Sequence, residues 1–206
     1  MRKMPGALRD YLAESSALLT AAAGAVPQPA VDAAVDAVVR ALSAGKPLLV
    51  CGNGGSACDA MHITGELVAR FLEDRRALKV VCLSSNSAVM TAWSNDHGFA
   101  TAIARQVEAY GEPGAVLLGI STSGNSENIV AALERAREMG MVTIALTGEG
   151  GGKMAPLADC LLAVPSSHTP LIQQVHVCIY HYLCQQIEQR MMEKDAPPIP
   201  LAEPPP

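Results

Sequence analysis

Five short apolar runs separated by segments of helical pattern constrain the fold of this chain more than any other feature. The runs are "PLLVCG", "LKVVCLS", "AVLLGI", "VTIALTG" and "CLLAVP", and all of them lie between residues 47 and 165. Continuous apolar strands that alternate with helices are typical of a parallel sheet covered on both faces. We therefore predict an α/β fold whose ligands bind beyond the carboxyl ends of the strands, near the topological switch point.

The segments outside the strands predict the domain organisation. Apolar residues at helical spacing indicate helices over 7–24 and 30–43, separated by Pro27 and Pro29. Further helices are predicted from the first strand to about 72, and over 87–93, 98–109, 125–139 and 170–192. We expect N-terminal helices in residues 1–45, one domain in 46–193, and a disordered, proline-rich tail in 194–206.

Composition excludes several classes of partner. The net charge of −5, the absence of a Lys/Arg block and an aromatic content of 3% argue against nucleic-acid binding. No apolar run approaches the ~20 residues of a membrane span, so no membrane partner is expected. The cysteines lie mostly in apolar segments without C-x-x-C spacing, which predicts buried free thiols in a reducing compartment and a cytoplasmic location. They are Cys51, Cys58, Cys82, Cys160, Cys178 and Cys184.

The third apolar run ends in "ISTSGNSENIV", which carries four hydroxyl groups around a glycine. They belong to Ser121, Thr122, Ser123 and Ser126. A helix that begins near Asn125 would add free backbone N–H groups and the positive end of its dipole. An ordinary serine N-cap would account for only one of the four hydroxyls. The pattern therefore favours a neutral cradle for a phosphate monoester.

Two other glycine-rich segments have weaker signals. "GNGGSA", residues 52–57, fits the fingerprint of dinucleotide sites, but the second apolar run ends in serines and asparagine instead of the acidic residue that binds ribose. "GEGGGKM" resembles a phosphate loop, but Met154 stands where a magnesium-binding Ser or Thr is needed. We interpret it as a mobile loop.

Chemistry-bearing side chains occur on two predicted helices that are distant in the sequence. His62 and Glu66 are four residues apart and share one face of the helix after the first strand. The last helix carries Gln173, His176 and His181. Taken alone, the His/Glu pair is more often a solvated surface pair, and the polar residues of the last helix are often hydrogen-bonded or exposed.

In combination these segments resemble the phosphoheptose isomerases of the sugar isomerase (SIS) domain superfamily. The strings "CGNGGSACDAMHITGEL", "NDHGF", "ISTSGNS", "ALTGEGGGKMAPLAD" and "TPLIQQVHVCIYHYLC" carry the resemblance, which covers about residues 10–192. It implies a flavodoxin-like three-layer sandwich with a five-stranded parallel sheet. It also implies a homotetramer with active sites at subunit interfaces.

The resemblance implies roles for individual residues. Glu66 and His181 would be the catalytic pair, and zinc would be bound by His62, Glu66, Gln173 and His181. Imidazole and carboxylate groups suit zinc, whereas an amide oxygen is a weaker ligand. Because Gln173 and His181 are about 12 Å apart along an ideal helix axis, joint ligation requires a frayed helix start or ligands from different subunits. Besides Glu66, substrate contacts are implied for Asn53, Gly54, Gly55, Asn95, Asp96, Ser121, Thr122, Ser123, Ser126 and Gln173.

The implied reaction converts sedoheptulose 7-phosphate to D-glycero-D-manno-heptose 7-phosphate through an enediolate. The main alternative is a non-catalytic tetramer of the same superfamily that binds the replication initiator protein. That paralogue lacks the glutamate and the last histidine of the catalytic pair, whereas this chain has Glu66 and His181. A sugar-phosphate sensor is disfavoured, because residues 1–45 show no basic helix-turn-helix pattern.

Overall fold

The computed structural model describes residues 6–195 as an α/β domain with seven α-helices and five strands among these residues. The strands are β1 (Leu48–Gly52), β2 (Val80–Cys82), β3 (Val116–Ser121), β4 (Val142–Thr147) and β5 (Cys160–Ala163). The helices are α1 (Leu8–Ala25), α2 (Gln28–Ser43), α3 (Gly55–Val68), α4 (Ser87–His97), α5 (Ala102–Tyr110), α6 (Glu127–Glu138) and α7 (Thr169–Asp195). Short 3-10 helices cover Phe99–Thr101 and Gly152–Leu157.

The five strands form one parallel sheet in the order β2-β1-β3-β4-β5, which confirms the predicted architecture. The chain leaves β1 for β2 on one side and returns to β3 on the other, so the switch point lies between β1 and β3. The carboxyl ends of these two strands lead into the glycine loop after Gly52 and the serine-rich turn that begins at Ser121. The sheet therefore brings the two sequence motifs to the same edge.

Alternate residues of each central strand pack into different hydrophobic layers. Leu48 and Val50 join α2, α3 and α7 on one face of the sheet, whereas Leu49 and Cys51 join α5 and α6 on the other. Both sets of side chains are almost completely buried. This burial on both faces explains why the strands read as uninterrupted apolar runs. It also places α3 and α7, the two helices with candidate chemistry, in the same layer.

Several helix boundaries differ from the prediction, including those of α5, which begins at Ala102 instead of residue 98, and of α6, which begins at Glu127 instead of residue 125. α2 begins at Gln28, because Pro29 in its first turn needs no intrahelical N–H partner. α4 extends to His97 instead of residue 93. α3 ends at Val68, before the predicted residue 72, because the next backbone N–H groups bond to a glutamate of α7 instead of continuing the helix.

The prediction is also wrong for the start of the tail and for two of the six cysteines. α7 continues through Asp195, so the first two residues of the predicted tail are helical, and 196–206 lie outside the described residues. Four cysteines are buried free thiols, but Cys58 and Cys178 are exposed, because both lie on outward faces of their helices. Among residues 6–195, no helix combines the length and apolar character needed to cross a membrane.

Candidate active site

The serine-rich turn after β3 forms a compact hydroxyl cluster. The Ser121 and Ser126 Oγ atoms are 2.9 Å apart, and those of Ser121 and Ser123 are 3.4 Å apart. Ser126 is the N-cap residue of α6, but its side chain makes no capping bond to the helix. The hydroxyl therefore faces its neighbours in the turn, and the ordinary N-cap interpretation does not apply. Thr122 contacts Thr169 at the start of α7, with 3.4 Å between the two Oγ1 atoms.

The glycine-rich segment after β4 closes against this turn. A Cβ atom on Gly124 would lie only 2.1 Å from the Gly151 carbonyl oxygen, and Gly124 has a positive φ of 64°. The Lys153 N–H donates to the Asn125 side chain, and the Met154 N–H donates to the Gly124 carbonyl. The segment predicted as a mobile loop instead forms a 3-10 helix that packs on the serine-rich turn, because two glycines permit the close backbone approach.

The glycine loop after β1 is joined to the same turn by a pair of amides. Asn53 and Asn128 donate to each other's side-chain oxygens, and both bonds are 2.8 Å long. Asn128 lies in the first turn of α6, two residues after Ser126, and is almost completely buried. Gly54 is the N-cap residue of α3, and α3 begins at Gly55. The reciprocal amide pair therefore holds the N-termini of α3 and α6 side by side.

A second cluster lies between α3 and α7. Ligand atoms of His62, Glu66 and His181 all lie within 4.8 Å of one another. His62 Nε2 is 2.8 Å from Glu66 Oε1, and the rings of His62 and His181 meet edge to face with centroids 5.0 Å apart. His62 is exposed, and the other two residues are partly buried. The fold thus brings His181 to His62 and Glu66, although it lies more than a hundred residues after them in the sequence.

A buried polar pair supports this cluster from the inside. The Tyr180 hydroxyl is 2.9 Å from His62 Nδ1, and the carboxylate of Asp59 lies close to both side chains. Burial raises the pKa of Asp59, while the nearby His62 and the neighbouring Tyr180 hydroxyl lower that pKa in part. Burial, together with the neighbouring Asp59, raises the pKa of Tyr180. Asp59 Oδ2 is buried and has no hydrogen-bond partner among the described residues.

Gln173, the fourth proposed ligand, lies beside the glycine loop. A Cβ atom on Gly55 would lie 2.4 Å from Gln173 Nε2, so the amide packs directly against the start of α3. Because α7 begins at Thr169, Gln173 is inside the helix and not at a frayed end. The separation of about 12 Å from His181 along the helix axis therefore applies within one chain. The helix is therefore not frayed at Gln173, which was one of the two ways to reconcile the predicted ligand set.

Asn95 and Asp96 lie near the end of α4, where both are exposed and bond to each other at 2.8 Å. None of the residues of α4 is buried in the single chain. Stacking of Trp93 on His97, with ring centroids 4.1 Å apart, organises the exposed face of this helix. Among the described residues, no hydrogen bond or ion pair joins Asn95 or Asp96 to the cradle or to the His/Glu cluster.

Two buried ionisable residues of α7, Glu188 and His176, lie behind the His/Glu cluster and behind the serine-rich turn. Glu188 accepts the backbone N–H groups of Phe71, Leu72 and Glu73 and pairs with Arg75 at 3.1 Å. Burial alone would raise the pKa of Glu188, but these donors outweigh it and lower the pKa.

The second of these residues, His176, lies behind the cradle. Its Nε2 atom is 3.1 Å from the Thr147 carbonyl oxygen at the end of β4. Burial lowers the pKa of His176 to about 4, and the bond to Thr147 opposes that shift. The imidazole is therefore neutral in the folded protein at neutral pH.

Sequence reasoning missed Asp59, Tyr180, Asn128 and Glu188. Asp59 was detectable, because Asp59, His62 and Glu66 are spaced by three and four residues on one helix face. Asn128 was detectable as a polar residue of the first turn after the serine cluster. Tyr180 and Glu188 gave no such signal, since their partners lie more than a hundred residues away.

Comparison with known proteins identifies the family. Residues 10–148 match the SIS domain family. A phosphoheptose isomerase from Crocosphaera subtropica is 47% identical over 165 residues, which cover 80% of this chain and 84% of that relative. A phosphoheptose isomerase from Citrifermentans bemidjiense is 49% identical over 166 residues, which cover 81% of this chain and 86% of that relative. The chain belongs to the phosphoheptose isomerase family. The predictions that it resembles this family and is an isomerase are confirmed.

Solved structures agree with this assignment. A phosphoheptose isomerase from Francisella tularensis superposes with a TM-score of 0.84 at 39% identity, covering 88% of this chain and 96% of that one. The enzyme from Neisseria gonorrhoeae gives a TM-score of 0.82 at 38% identity, covering 88% of this chain and 97% of that one. The family assignment therefore extends from the sequence to the whole three-layer fold.

Proposed function

We propose that the protein is a sugar-phosphate isomerase of heptose biosynthesis that converts sedoheptulose 7-phosphate to D-glycero-D-manno-heptose 7-phosphate through an enediolate. The observation that carries the proposal is the convergence of Glu66 and His181, from α3 and α7, within one cluster. A carboxylate and an imidazole are the acid–base groups that an aldose–ketose isomerisation requires. The relatives named phosphoheptose isomerase support the substrate class.

The serine-rich turn is proposed to hold the substrate phosphate. Ser121, Thr122, Ser123 and Ser126 offer hydroxyl donors, and α6, which begins directly after Ser126, would add N–H groups of its N-terminus. Asn53, Gly54 and Gly55 would contact the sugar from the neighbouring loop. A phosphate bound here would replace the bonds that the hydroxyls now make to each other. Neutral donors and the helix dipole then stabilise the dianion without a lysine.

The His/Glu cluster is proposed to perform the proton transfers. Glu66 moves the proton of the carbon beside the carbonyl, and His181 serves the substrate oxygens as the complementary acid or base. α3 runs from the glycine loop to the His/Glu cluster, and along its ideal axis His62 lies about 10 Å and Glu66 about 16 Å from Gly55. A phosphate fixed at the cradle therefore directs the reacting carbons of an extended sugar toward Glu66.

The same residues fit a zinc ion. His62, Glu66 and His181 supply two imidazole nitrogens and a carboxylate oxygen within 4.8 Å of one another, a donor set that zinc prefers. A catalytic zinc ion takes three protein ligands and leaves one position open. Zinc bound there would polarise the substrate carbonyl and stabilise the negative charge of the enediolate. Gln173 of a neighbouring subunit would be an additional, weaker ligand.

We further propose a homotetramer with active sites at subunit interfaces. α4, which carries Asn95 and Asp96, has no buried residue in the single chain. Large apolar side chains are also exposed on α1 and α3, including Leu12 and Met61. Burial of these surfaces between subunits would bring Asn95 and Asp96 to a neighbouring site. It would also allow Gln173 of one subunit and His181 of another to bind the same zinc ion, although the two residues are about 12 Å apart along one helix.

Direct assay tests the proposed function. The purified protein is incubated with sedoheptulose 7-phosphate, with and without a chelator, and aldose formation is followed by NMR. We expect conversion to an aldose phosphate that the chelator slows and added zinc restores. Absence of conversion in zinc-supplemented protein would contradict the isomerase proposal. Conversion unaffected by complete metal removal would contradict only the proposed role of zinc.

A further inference from the structure

Asn128 is a buried polar residue whose side-chain partner belongs to the proposed site. It lies in the first turn of α6 with an exposed fraction of only 2%. Its amide exchanges two hydrogen bonds with the amide of Asn53, each with 2.8 Å between the nitrogen and the oxygen. A buried amide has to be bonded within the protein, because water cannot reach it and an unpaired polar group is costly. The burial of Asn128 therefore restrains the side chain of Asn53 as well.

The reciprocal bonds define the orientation of the Asn53 amide. A half-turn of this amide alone would place oxygen against oxygen and N–H against N–H, so both bonds would be lost together. An asparagine side chain has two N–H donors and an oxygen with two lone pairs. The pair uses one donor of each residue, and Asn53 is only partly buried. Asn53 thus keeps a second N–H group with which to contact a ligand.

The main chain beside Asn53 is held by a different residue. The Gly52 N–H donates to the Ser84 Oγ atom at 3.1 Å, and the Ser84 hydroxyl donates to the Gly52 carbonyl oxygen at 2.8 Å. Gly52 ends β1, and Gly54, on the other side of Asn53, is the N-cap residue of α3. The backbone at Asn53 therefore has supports that do not involve Asn128. What Asn128 contributes is the direction of the side chain.

The position of Asn128 connects the Asn53 amide to the cradle. Asn128 follows Ser126 by two residues, and the Ser126 hydroxyl is 2.9 Å from that of Ser121. The first turn of α6 thus carries a hydroxyl of the cradle and also the residue that orients Asn53. A sugar that is bound through its phosphate at the cradle would meet the Asn53 amide at a fixed distance and angle.

We propose that Asn128 is a positioning residue that holds the Asn53 amide in the direction needed to donate a hydrogen bond to an oxygen of the sugar. This inference rests on the proposed function, in which the cradle binds the phosphate and Asn53 contacts the sugar. Asn128 is too deeply buried to touch the substrate, so it acts through Asn53. A prearranged donor binds more tightly than one that has to be ordered when the ligand arrives.

Two ligands separate this role from general support of the cradle. Sedoheptulose 7-phosphate engages the cradle and Asn53, whereas inorganic phosphate engages the cradle alone. In titration calorimetry, Asn128→Ala should raise the Kd for the sugar phosphate between ~3-fold and ~10-fold, the value of one neutral hydrogen bond. The Kd for inorganic phosphate should stay within ~2-fold of wild type. Glu134→Gln, an exposed change on the same helix, should leave both constants at wild-type values.

A double-mutant cycle tests whether Asn128 acts through Asn53. Asn53→Ala should raise the Kd for the sugar phosphate at least as much as Asn128→Ala does. Adding Asn128→Ala to the Asn53→Ala variant should then change this Kd by less than ~2-fold, because the group that Asn128 orients is already absent. Asn128→Leu, which has a similar shape without polar atoms, is the second variant and should behave as the alanine variant does.

Three results would overturn the positioning role. They are wild-type affinity for the sugar phosphate in both Asn128 variants, an equal loss of affinity for the two ligands, and additive effects in the double-mutant cycle. The proposed function fails separately, because these titrations need no turnover. An inactive wild type with the expected non-additive losses would refute the isomerase assignment alone. An active wild type with additive losses would refute the positioning role alone.

Discussion

The serine cradle and the His/Glu cluster are built in opposite ways. The cradle comes from a single turn, in which Ser121 and Ser126 are five residues apart, and its groups are uncharged hydroxyls and backbone amides. The cluster joins α3 to α7, and its groups are imidazoles and a carboxylate. A local turn can grip a ligand as soon as its strand and helix form. A cluster between helices depends on the packing of the whole layer.

Each construction suits the role proposed for it, which is substrate binding in the cradle and proton transfer in the cluster. The cradle needs hydrogen-bond donors of fixed direction. A turn of glycine and serine provides them as neutral groups, so no charged side chain has to be buried. Proton transfer needs groups that change their protonation, and such groups require support from buried neighbours. Changes in the cradle should therefore weaken substrate binding, and changes in the cluster should slow turnover.

Substitution of Glu66 should separate these two roles most strongly. Glu66→Gln keeps the shape of the side chain and removes the base, so we expect turnover to fall by between ~100-fold and ~10,000-fold. The NMR assay with sedoheptulose 7-phosphate measures the loss, and KM should change far less. Glu134→Gln, an exposed substitution on α6, should leave both constants at wild-type values. Full activity of Glu66→Gln would end the assignment of the cluster as the chemical centre.

The next effect tests the support behind the cluster. Glu188→Ala leaves the buried Arg75 unpaired and three N–H groups without their acceptor, and should cost about 3 kcal/mol of unfolding free energy. Denaturant unfolding measures this loss. Glu193→Ala, an exposed change on the same helix, should shift stability by less than ~0.5 kcal/mol.

The pH dependence of the Glu188 contribution has a definite sign. The pKa of Glu188 is lowered from 4.5 in the folded protein, so its stabilisation is present above 4.5 and is lost as pH falls through the folded value. The stability gap between wild type and Glu188→Ala should therefore narrow below about pH 4.5. A gap that is constant down to pH 3 would contradict the proposed charge interaction.

A smaller effect concerns the support behind the cradle. His176 has a folded pKa of about 4 against an ordinary 6.5, so between these values the unfolded chain binds a proton that the folded chain does not. Stability therefore falls as pH drops through this window, by about 2 kcal/mol from pH 7 to pH 5. His176→Gln should reduce the difference between the two pH values by that amount. A variant with the wild-type difference would show that His176 does not titrate as proposed.

The smallest effect tests the cradle itself. Ser121→Ala and Ser126→Ala each remove one donor to a charged phosphate, and each should raise KM roughly 10-fold with little change in kcat. Ser16→Ala, an exposed serine on α1, provides the matched control. A loss confined to kcat would erase the proposed distinction between cradle and cluster.

The same contrast explains what could be predicted from the sequence. The strands and the serine cradle were accessible, since apolar runs and neighbouring hydroxyls are local features. The pairing of His62 with His181 came only from resemblance to a family, because no periodicity connects α3 with α7. The early end of α3 could not be foreseen, since it depends on Glu188, more than a hundred residues away. The support at Tyr180 was hidden for the same reason, since its partner His62 lies more than a hundred residues away.

The carboxylate of Glu188 has one further consequence. It is the shared acceptor of three consecutive amides, and the first of these belongs to Phe71, whose ring lies 5.7 Å from that of His181. A single protonation would release all three amides at once, so their hydrogen exchange should accelerate together in acid. The sheet amides bond strand to strand and should stay protected under the same conditions. Acid would then loosen the wall beside His181 while the scaffold beneath it stays folded.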